Sequence, residues 1–502
     1  MVEEESFINT ENVISQLKKA TCVDLRQVDF VDRLQRFTAS ALGWTLMFGL
    51  THVDESTCDA LWNLADRFGL IAFLQKAKRG EPVNSLIGIP SENRPVLHFA
   101  MRSFLACENP LVEHVRLEAI EQRERIAQFV EDISWTHLIV VGIGGSHLGL
   151  EALYLACSSL SAPVREVRFL SSCDPKEVEL VLRNIDLSRV CVAIISKSGS
   201  TVEVAENESI LRTLFSDHHL KPKDHFVAVT VKGSRLDEQS RFSKVFYFDE
   251  SIGGRFSTSA APGALVIAFA FGLSTFLQFL SGAGDMDEIA ESTDQNRNIP
   301  LWMALLGVWH RNCLGLPSVA ILPYSHGLRR FPSHLQQLEM ESNGKSIDKT
   351  GSTLPYSTVP LIWGEPGTNF QHSFGQWLHQ STDRASVEFV CFKGKKTTPE
   401  RLLLANLFGQ AIALAKGSSN QNPNRNFQGN RPSTILLGDT FSVENLGALW
   451  SLYENRVLFQ GRIWRINSFD QEGVQFGKKL AKQILSGSDS ISQFWDRTFF
   501  SS

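Results

Sequence analysis

Between Val190 and Glu203 the chain reads VCVAIISKSGSTVE. An apolar run stops at Ser196-Lys197-Ser198-Gly199-Ser200-Thr201, almost all hydroxyls with one lysine and one glycine, before helix-forming residues resume at Glu203. Strand, polar turn and helix are the expected succession. The first N–H groups of a helix have no intrahelical partner and lie at the positive end of its dipole, so hydroxyls and a lysine placed there suit a phosphate group. The plainer use of Ser200 or Thr201 is as an ordinary helix cap.

Five further stretches carry groups able to do chemistry. Gly142-Ile143-Gly144-Gly145-Ser146-His147-Leu148-Gly149 follows a second apolar run. A dinucleotide fingerprint would need glycine at 147, where His147 stands, so the glycines are read instead as letting backbone N–H groups approach an anion or sugar, with Ser146 at the helix start. Arg255, in Gly253-Gly254-Arg255-Phe256-Ser257, offers a fixed fork of donors to a developing oxyanion, or is a surface loop residue. Glu339 and Glu341, in Glu339-Met340-Glu341-Ser342-Asn343-Gly344-Lys345, are two carboxylates at a helix end. One of them, partly desolvated, would make a proton-transferring base; the alternative is a solvated helix terminus. Last, Trp363 to His372 reads as a tight turn opening a helix that sets His372, Gln376 and His379 on one face, and Asn467 to Lys478 leads into a final helix. His98, beside Phe99, is a satisfied core or surface group unless it faces a ligand.

These groups need a frame. From His137 onward, short strands at 138–141, 167–170, 191–195, 226–231 and 245–248 alternate with helices at 148–158, 175–184 and 202–215, the pattern of a parallel sheet wound on both faces. Ligands of such sheets bind beyond the carboxyl ends of the strands, where 196–201 falls. A second alternation follows, with strands at 319–322, 361–363, 387–392 and 434–437 and helices at 301–313, 333–340, 372–379, 400–415 and 442–459. The expected fold class is α/β: two doubly wound, mostly parallel domains. The expected divisions are a helical N-terminal region over 1–120, domains over 121–285 and 286–460, and a C-terminal helical extension over 461–502 carrying Lys478. Residues 417–433 form a polar Asn-, Gly- and Pro-rich loop.

A chain of 502 residues exceeds what one hydrophobic core usually supports, which agrees with two domains. A net charge of −5 with both signs interspersed gives no basic field for nucleic acid or an anionic membrane. Eight cysteines are scattered without a C-x-x-C pair, so neither a zinc site nor a disulfide framework is indicated. The acidic opening MVEEESF is unlike a signal peptide, and a reducing cytoplasm is the expected compartment. The uncharged stretch 260–280 approaches the length of a membrane span, but its Pro262, Gly263, Gly272, Ser274, Thr275 and Gln278 favour a helix buried in a large domain.

Taken together, GIGGSHLG, SKSGSTVE, GGRFS, MESNGK, WGEPGTNFQH and NSFDQEGVQFGK, in that order from Gly142 to Lys478, resemble the signatures of the phosphoglucose isomerase family. The resemblance implies two sugar-isomerase-type domains and the aldose-ketose isomerisation of a hexose 6-phosphate. It implies that Ser196, Lys197, Ser198 and Thr201 hold the phosphate, with Gly145 and Ser146 lining the same pocket and Gln337 and Gln471 touching the substrate. Glu341 would move the proton between C1 and C2, Arg255 would stabilise the enediolate, and His372 with Lys478 would open the sugar ring. It further implies a homodimer in which His372 comes from the neighbouring subunit, and no metal or organic cofactor. A non-catalytic sugar-phosphate sensor is the rival reading, although 1–120 shows no DNA-binding head. The family's loop is often SKTFTT where this chain has SKSGST. It also has an aromatic residue at the position of Glu472 and a glutamate at that of Gln475.

Overall fold

The computed structural model describes residues 9–20, 22–487 and 490–500, so the MVEEESF opening lies outside the described residues. Its first sheet element corrects the expectation of a wholly helical N-terminal region. Strands β1 (Thr38–Ala41) and β2 (Trp44–Met47) form an antiparallel hairpin around the two-residue turn Leu42-Gly43. Both turn residues have positive φ, 52° and 73°, the backbone a two-residue hairpin requires. Trp44 and Leu46 are fully buried, and their alternation with Thr45 and Met47 seats the hairpin on a larger sheet.

Five parallel strands follow: β3 (His137–Val141), β4 (Glu166–Leu170), β5 (Val190–Ile195), β6 (Phe226–Thr230) and β7 (Lys244–Tyr247), in the spatial order β4-β3-β5-β6-β7. All six residues of β5 are buried, because both faces of the sheet are covered: Cys191, Ala193 and Ile195 face one cluster and Val190, Val192 and Ile194 the other. The chain visits β4 on one side of β3 and then crosses to β5 on the other. The loops leaving β3 and β5 therefore meet at the point where winding reverses.

The second sheet contains β8 (Ser318–Pro323), β9 (Leu361–Trp363), β10 (Ser386–Phe392) and β11 (Ser433–Gly438), in the order β1-β2-β11-β10-β8-β9. Its four own strands are mutually parallel, and the N-terminal hairpin closes the β11 edge antiparallel. The inner faces of both sheets share one core with the helices Ala261–Phe271, Leu273–Ala290, Ile299–Val308 and Val443–Ile463. Stretch 260–280 is thus buried as expected but is two helices rather than one. Gly272, at φ 89°, breaks the run in a conformation closed to a side chain. No described helix is long and apolar enough to cross a membrane.

Candidate active site

Glu341 ends a six-residue π-helical turn, Gln336–Glu341, that continues the short helix Phe331–Leu335. The wider turn shifts side-chain directions relative to an α-helix and is a recurrent feature of functional sites. It separates the two carboxylates. The Glu339 side chain is 0% exposed and faces inward to Arg456, 3.6 Å away, while that of Glu341 is 24% exposed. Burial pushes the Glu339 carboxyl up to about 7, against the pull of Arg456. Gln337 donates its amide to Glu341 Oε2 at 2.8 Å, which fixes the carboxylate from one side.

Arg255 closes the other side. Its guanidinium is 2% exposed; Nε donates to Ser342 Oγ at 2.6 Å, Nη1 to Gln471 Oε1 at 3.1 Å, and Nη2 to the carbonyls of Ser468 and Asp470 at 2.7 and 3.1 Å. Burial lowers its pKa and the nearby Glu341 and Asp470 charges oppose that, but a guanidinium stays cationic regardless. Lys345 ties the two segments together by donating to the carbonyls of Glu341, Ser342 and Asp470, each at 3.0 Å, and by pairing with Asp470 Oδ1 at 3.1 Å. Beside them opens a cavity of ≈ 440 Å³ lined by Met340, Glu341, Lys345, Asp470 and Gln471, within the ~300–1,000 Å³ span of small-molecule sites.

The turn after β3 comes against Arg255 directly. A Cβ at Gly145 would collide with the backbone of Gly254 and Arg255, so only glycine allows this approach, and Ser257 Oγ lies 3.5 Å from the Gly145 carbonyl. Ser146 belongs to the same turn and is half-buried. In the loop after β5, Ser196 Oγ accepts from Gly199 N at 3.1 Å and Ser198 and Ser200 join hydroxyls at 2.7 Å. Thr201 is the N-cap of the helix Val202–Asp217, yet its side chain accepts no backbone hydrogen bond. The plain capping role is therefore unfilled, and that hydroxyl is available at the helix start. Lys197 donates to the Glu250 carbonyl at 2.6 Å; burial, with Arg94 next, pushes its ammonium down to about 8.

The structure thus gathers Glu341, Gln337, Arg255, Gln471 and Gly145, and sets the Ser196–Thr201 loop at the adjoining strand end. It does not bring His372 or Lys478 to them within this chain. His372 is not on a helical face with Gln376 and His379, as the spacing predicts, but in the exposed turn between the helices Gly367–Phe370 and Gly375–Gln380. Lys478 is exposed in the helix Gln475–Leu485. Neither side chain makes a hydrogen bond or ion pair among the described residues. His98 is fully buried against Phe256, at 4.7 Å between ring centroids, and is a core group. Ser342, Lys345 and Asp470 lie within the motifs but carry no role in the sequence reading; Lys345 works mainly on backbone carbonyls, and Ser342 and Asp470 on groups distant in sequence, which no local side-chain pattern reveals. Among the described residues no cluster of three or more His, Cys, Asp or Glu could hold a metal ion.

Comparison with known proteins adds an independent line. The family model described as Phosphoglucose isomerase matches residues 48–498. The chain is 44% identical over 482 residues to the glucose-6-phosphate isomerase of Protochlamydia amoebophila (strain UWE25), covering 92% of this chain and 89% of that protein. It is 44% identical over 467 residues to the enzyme of the same name from Chlamydia pneumoniae, covering 90% and 89%. The crystal structure of a glucose-6-phosphate isomerase from Chlamydia trachomatis D/UW-3/Cx superposes with a TM-score of 0.92 at 39% identity, over 98% of both chains.

Proposed function

The chain belongs to the phosphoglucose isomerase family and interconverts glucose 6-phosphate and fructose 6-phosphate, a step of glycolysis and gluconeogenesis, and we propose that Glu341 carries the proton between C1 and C2. The observation that supports this assignment is the isolation of one carboxylate, held by Gln337 and facing the Arg255 guanidinium across 3.9 Å at the edge of a cavity. Removing a proton α to a carbonyl leaves negative charge on the neighbouring oxygen. Arg255, already ordered by four hydrogen bonds from its three nitrogens, meets that charge without reorganising. Ser196, Lys197, Ser198 and Thr201 hold the phosphate, with Gly145 and Ser146 lining the pocket and Gln337 and Gln471 on the sugar. Anchoring the remote phosphate lets binding energy orient the reacting carbons. His372 and Lys478 serve ring opening.

We further propose a homodimer whose second copy supplies His372. The exposure of His372, whose side chain makes no hydrogen bond or ion pair with Glu341 among the described residues, supports this. So does the C-terminal extension: no residue of the helix Gln475–Leu485 is buried, and Phe476, Leu485, Phe494 and Phe499 are 65% to 70% exposed, an apolar face that water would not leave uncovered. A cytoplasmic site of action fits the phosphorylated substrate and eight free cysteines. The division at 121–285 and 286–460 is likewise our reading, the first unit carrying the phosphate seat and the second the base. Nothing favours the sensor. The deciding experiment incubates purified protein with fructose 6-phosphate in D₂O. Glucose 6-phosphate carrying carbon-bound deuterium is the expected product, whereas binding without conversion would restore the sensor.

A further inference from the structure

The segment 84–94, far from any of the quoted motifs, reaches the active site from the N-terminal region. Asn84 and Arg94 pair by two backbone hydrogen bonds of 3.2 and 3.3 Å, closing a loop between them. The Arg94 fork then spans two groups: Nε donates to Glu92 Oε2 at 2.6 Å and Nη1 to the carbonyl of Ser251 at 2.9 Å. Ser251 sits in the turn that joins Glu250, whose carbonyl receives the Lys197 ammonium, to Gly253, Gly254 and Arg255.

The same loop grips the opposite side of the site. Fully buried Asn84 donates to Glu92 Oε2 at 2.6 Å and accepts from Asn467 Nδ2 at 2.8 Å. Asn467 donates in turn to Asp470 Oδ2 at 2.7 Å, and the Asp470 carbonyl receives Arg255 Nη2 and Lys345 Nζ. One loop root therefore fixes both backbone segments on which Arg255 depends and the carbonyl on which Lys197 rests. We propose that Arg94 is a positioning residue of the active site, clamping the 249–255 turn so that the phosphate-seat lysine and the enediolate arginine keep their mutual placement. This rests on the roles proposed above for Lys197 and Arg255.

Arg94 also acts on Lys197 through charge. The groups around that ammonium are Arg94, Glu92, Glu250 and Asp249, and after burial Arg94 is the strongest influence lowering its pKa. Removing the guanidinium lets Lys197 stay protonated to higher pH. A lysine at 94 would keep the charge but, with a single ammonium, could not reproduce a planar fork to Glu92 and Ser251.

The test compares wild type with Arg94→Met, Arg94→Lys and Lys197→Met. It records KM and kcat for fructose 6-phosphate, the Ki of inorganic phosphate across about pH 7.5 to 10.5 and the melting temperature. Arg94→Met is expected to raise KM and Ki about tenfold and lower kcat about tenfold. It is also expected to move the alkaline loss of phosphate binding to higher pH. Arg94→Lys should return that alkaline limb to its wild-type position while leaving KM raised. A lower melting temperature with unchanged Ki, kcat and limb would mean a merely structural residue and overturn the proposal. If Lys197→Met leaves phosphate binding and its limb intact, the phosphate-seat reading fails instead. Should Arg94→Met not fold, wild-type KM and kcat in Arg94→Lys overturn the proposal.

Discussion

Arg255 Nη1 stands 3.9 Å from Glu341 Oε2, close enough for the charges to interact and too far for a hydrogen bond. The guanidinium is occupied instead by Ser342, Gln471 and the carbonyls of Ser468 and Asp470. A direct bidentate pair would stabilise the carboxylate and weaken it as a base. The gap leaves Glu341 restrained by one amide and free on its remaining lone pairs, and in the proposed mechanism the cation meets the oxyanion that proton removal creates.

Thr201 separates binding from folding. Its side chain caps nothing, so Thr201→Val should leave the melting temperature within about 2 °C of wild type, unlike the loss of a working N-cap. Losing one hydroxyl contact to an anion should raise KM several-fold, by about 1 kcal/mol, with kcat little changed. Thermal melting and steady-state kinetics on one preparation check both. A fallen melting temperature with unchanged KM would return Thr201 to a capping role.

Glu339 gives a pH-dependent signature. Its carboxyl is raised to about 7 in the folded chain by burial, above its ordinary value, so the folded state binds the proton more tightly than the unfolded one. The stability it contributes is present below the ordinary carboxyl pKa and is lost as pH rises towards 7. Glu339→Gln should therefore melt at a temperature closer to wild type, or higher, at pH 8 than at pH 5. Arg456, which also holds Glu388 at 2.7 and 2.8 Å, keeps that second partner in the variant. A difference between variant and wild type that is the same at both pH values would contradict the assignment.

The proposed sharing of His372 is open to a mixing experiment. Preparations of Glu341→Gln and His372→Ala, each impaired alone, should regain about a quarter of wild-type activity after subunits are exchanged one to one, because half the dimers then contain one intact site of two. No gain on verified exchange would place both groups in sites built from one chain.

How much of this was readable in advance follows from the range of the signals. β5 declares itself as six consecutive apolar residues, because a doubly covered parallel strand leaves no face for a polar residue. The hairpin over Thr38–Met47 leaves little trace in the sequence because its strands have four residues each; its one cue is Leu42-Gly43 between alternating apolar positions. Gly272 inside the apolar stretch was the visible sign of a break. At the site, Glu341 lies in MESNGK with Gln337 one helical turn before it, a local pair, and Arg255 lies in GGRFS although its partners Ser342, Ser468, Asp470 and Gln471 are distant in sequence. Arg94 and Asn84 act on Ser251 and Asn467, more than 150 residues away, through a carbonyl and an amide. No spacing along the chain encodes that. His372 falls in the turn between the helices Gly367–Phe370 and Gly375–Gln380, so the one-face spacing with Gln376 and His379 does not apply.

The most direct test of the base assignment is the kinetics of Glu341→Gln, which keeps the shape and the Gln337 contact but removes the proton acceptor. The account predicts a fall in kcat of about a thousandfold, on the order of 4 kcal/mol, with inorganic phosphate binding unchanged and deuterium incorporation from D₂O lost in proportion. Turnover within a few-fold of wild type would contradict it and move the proton to another residue.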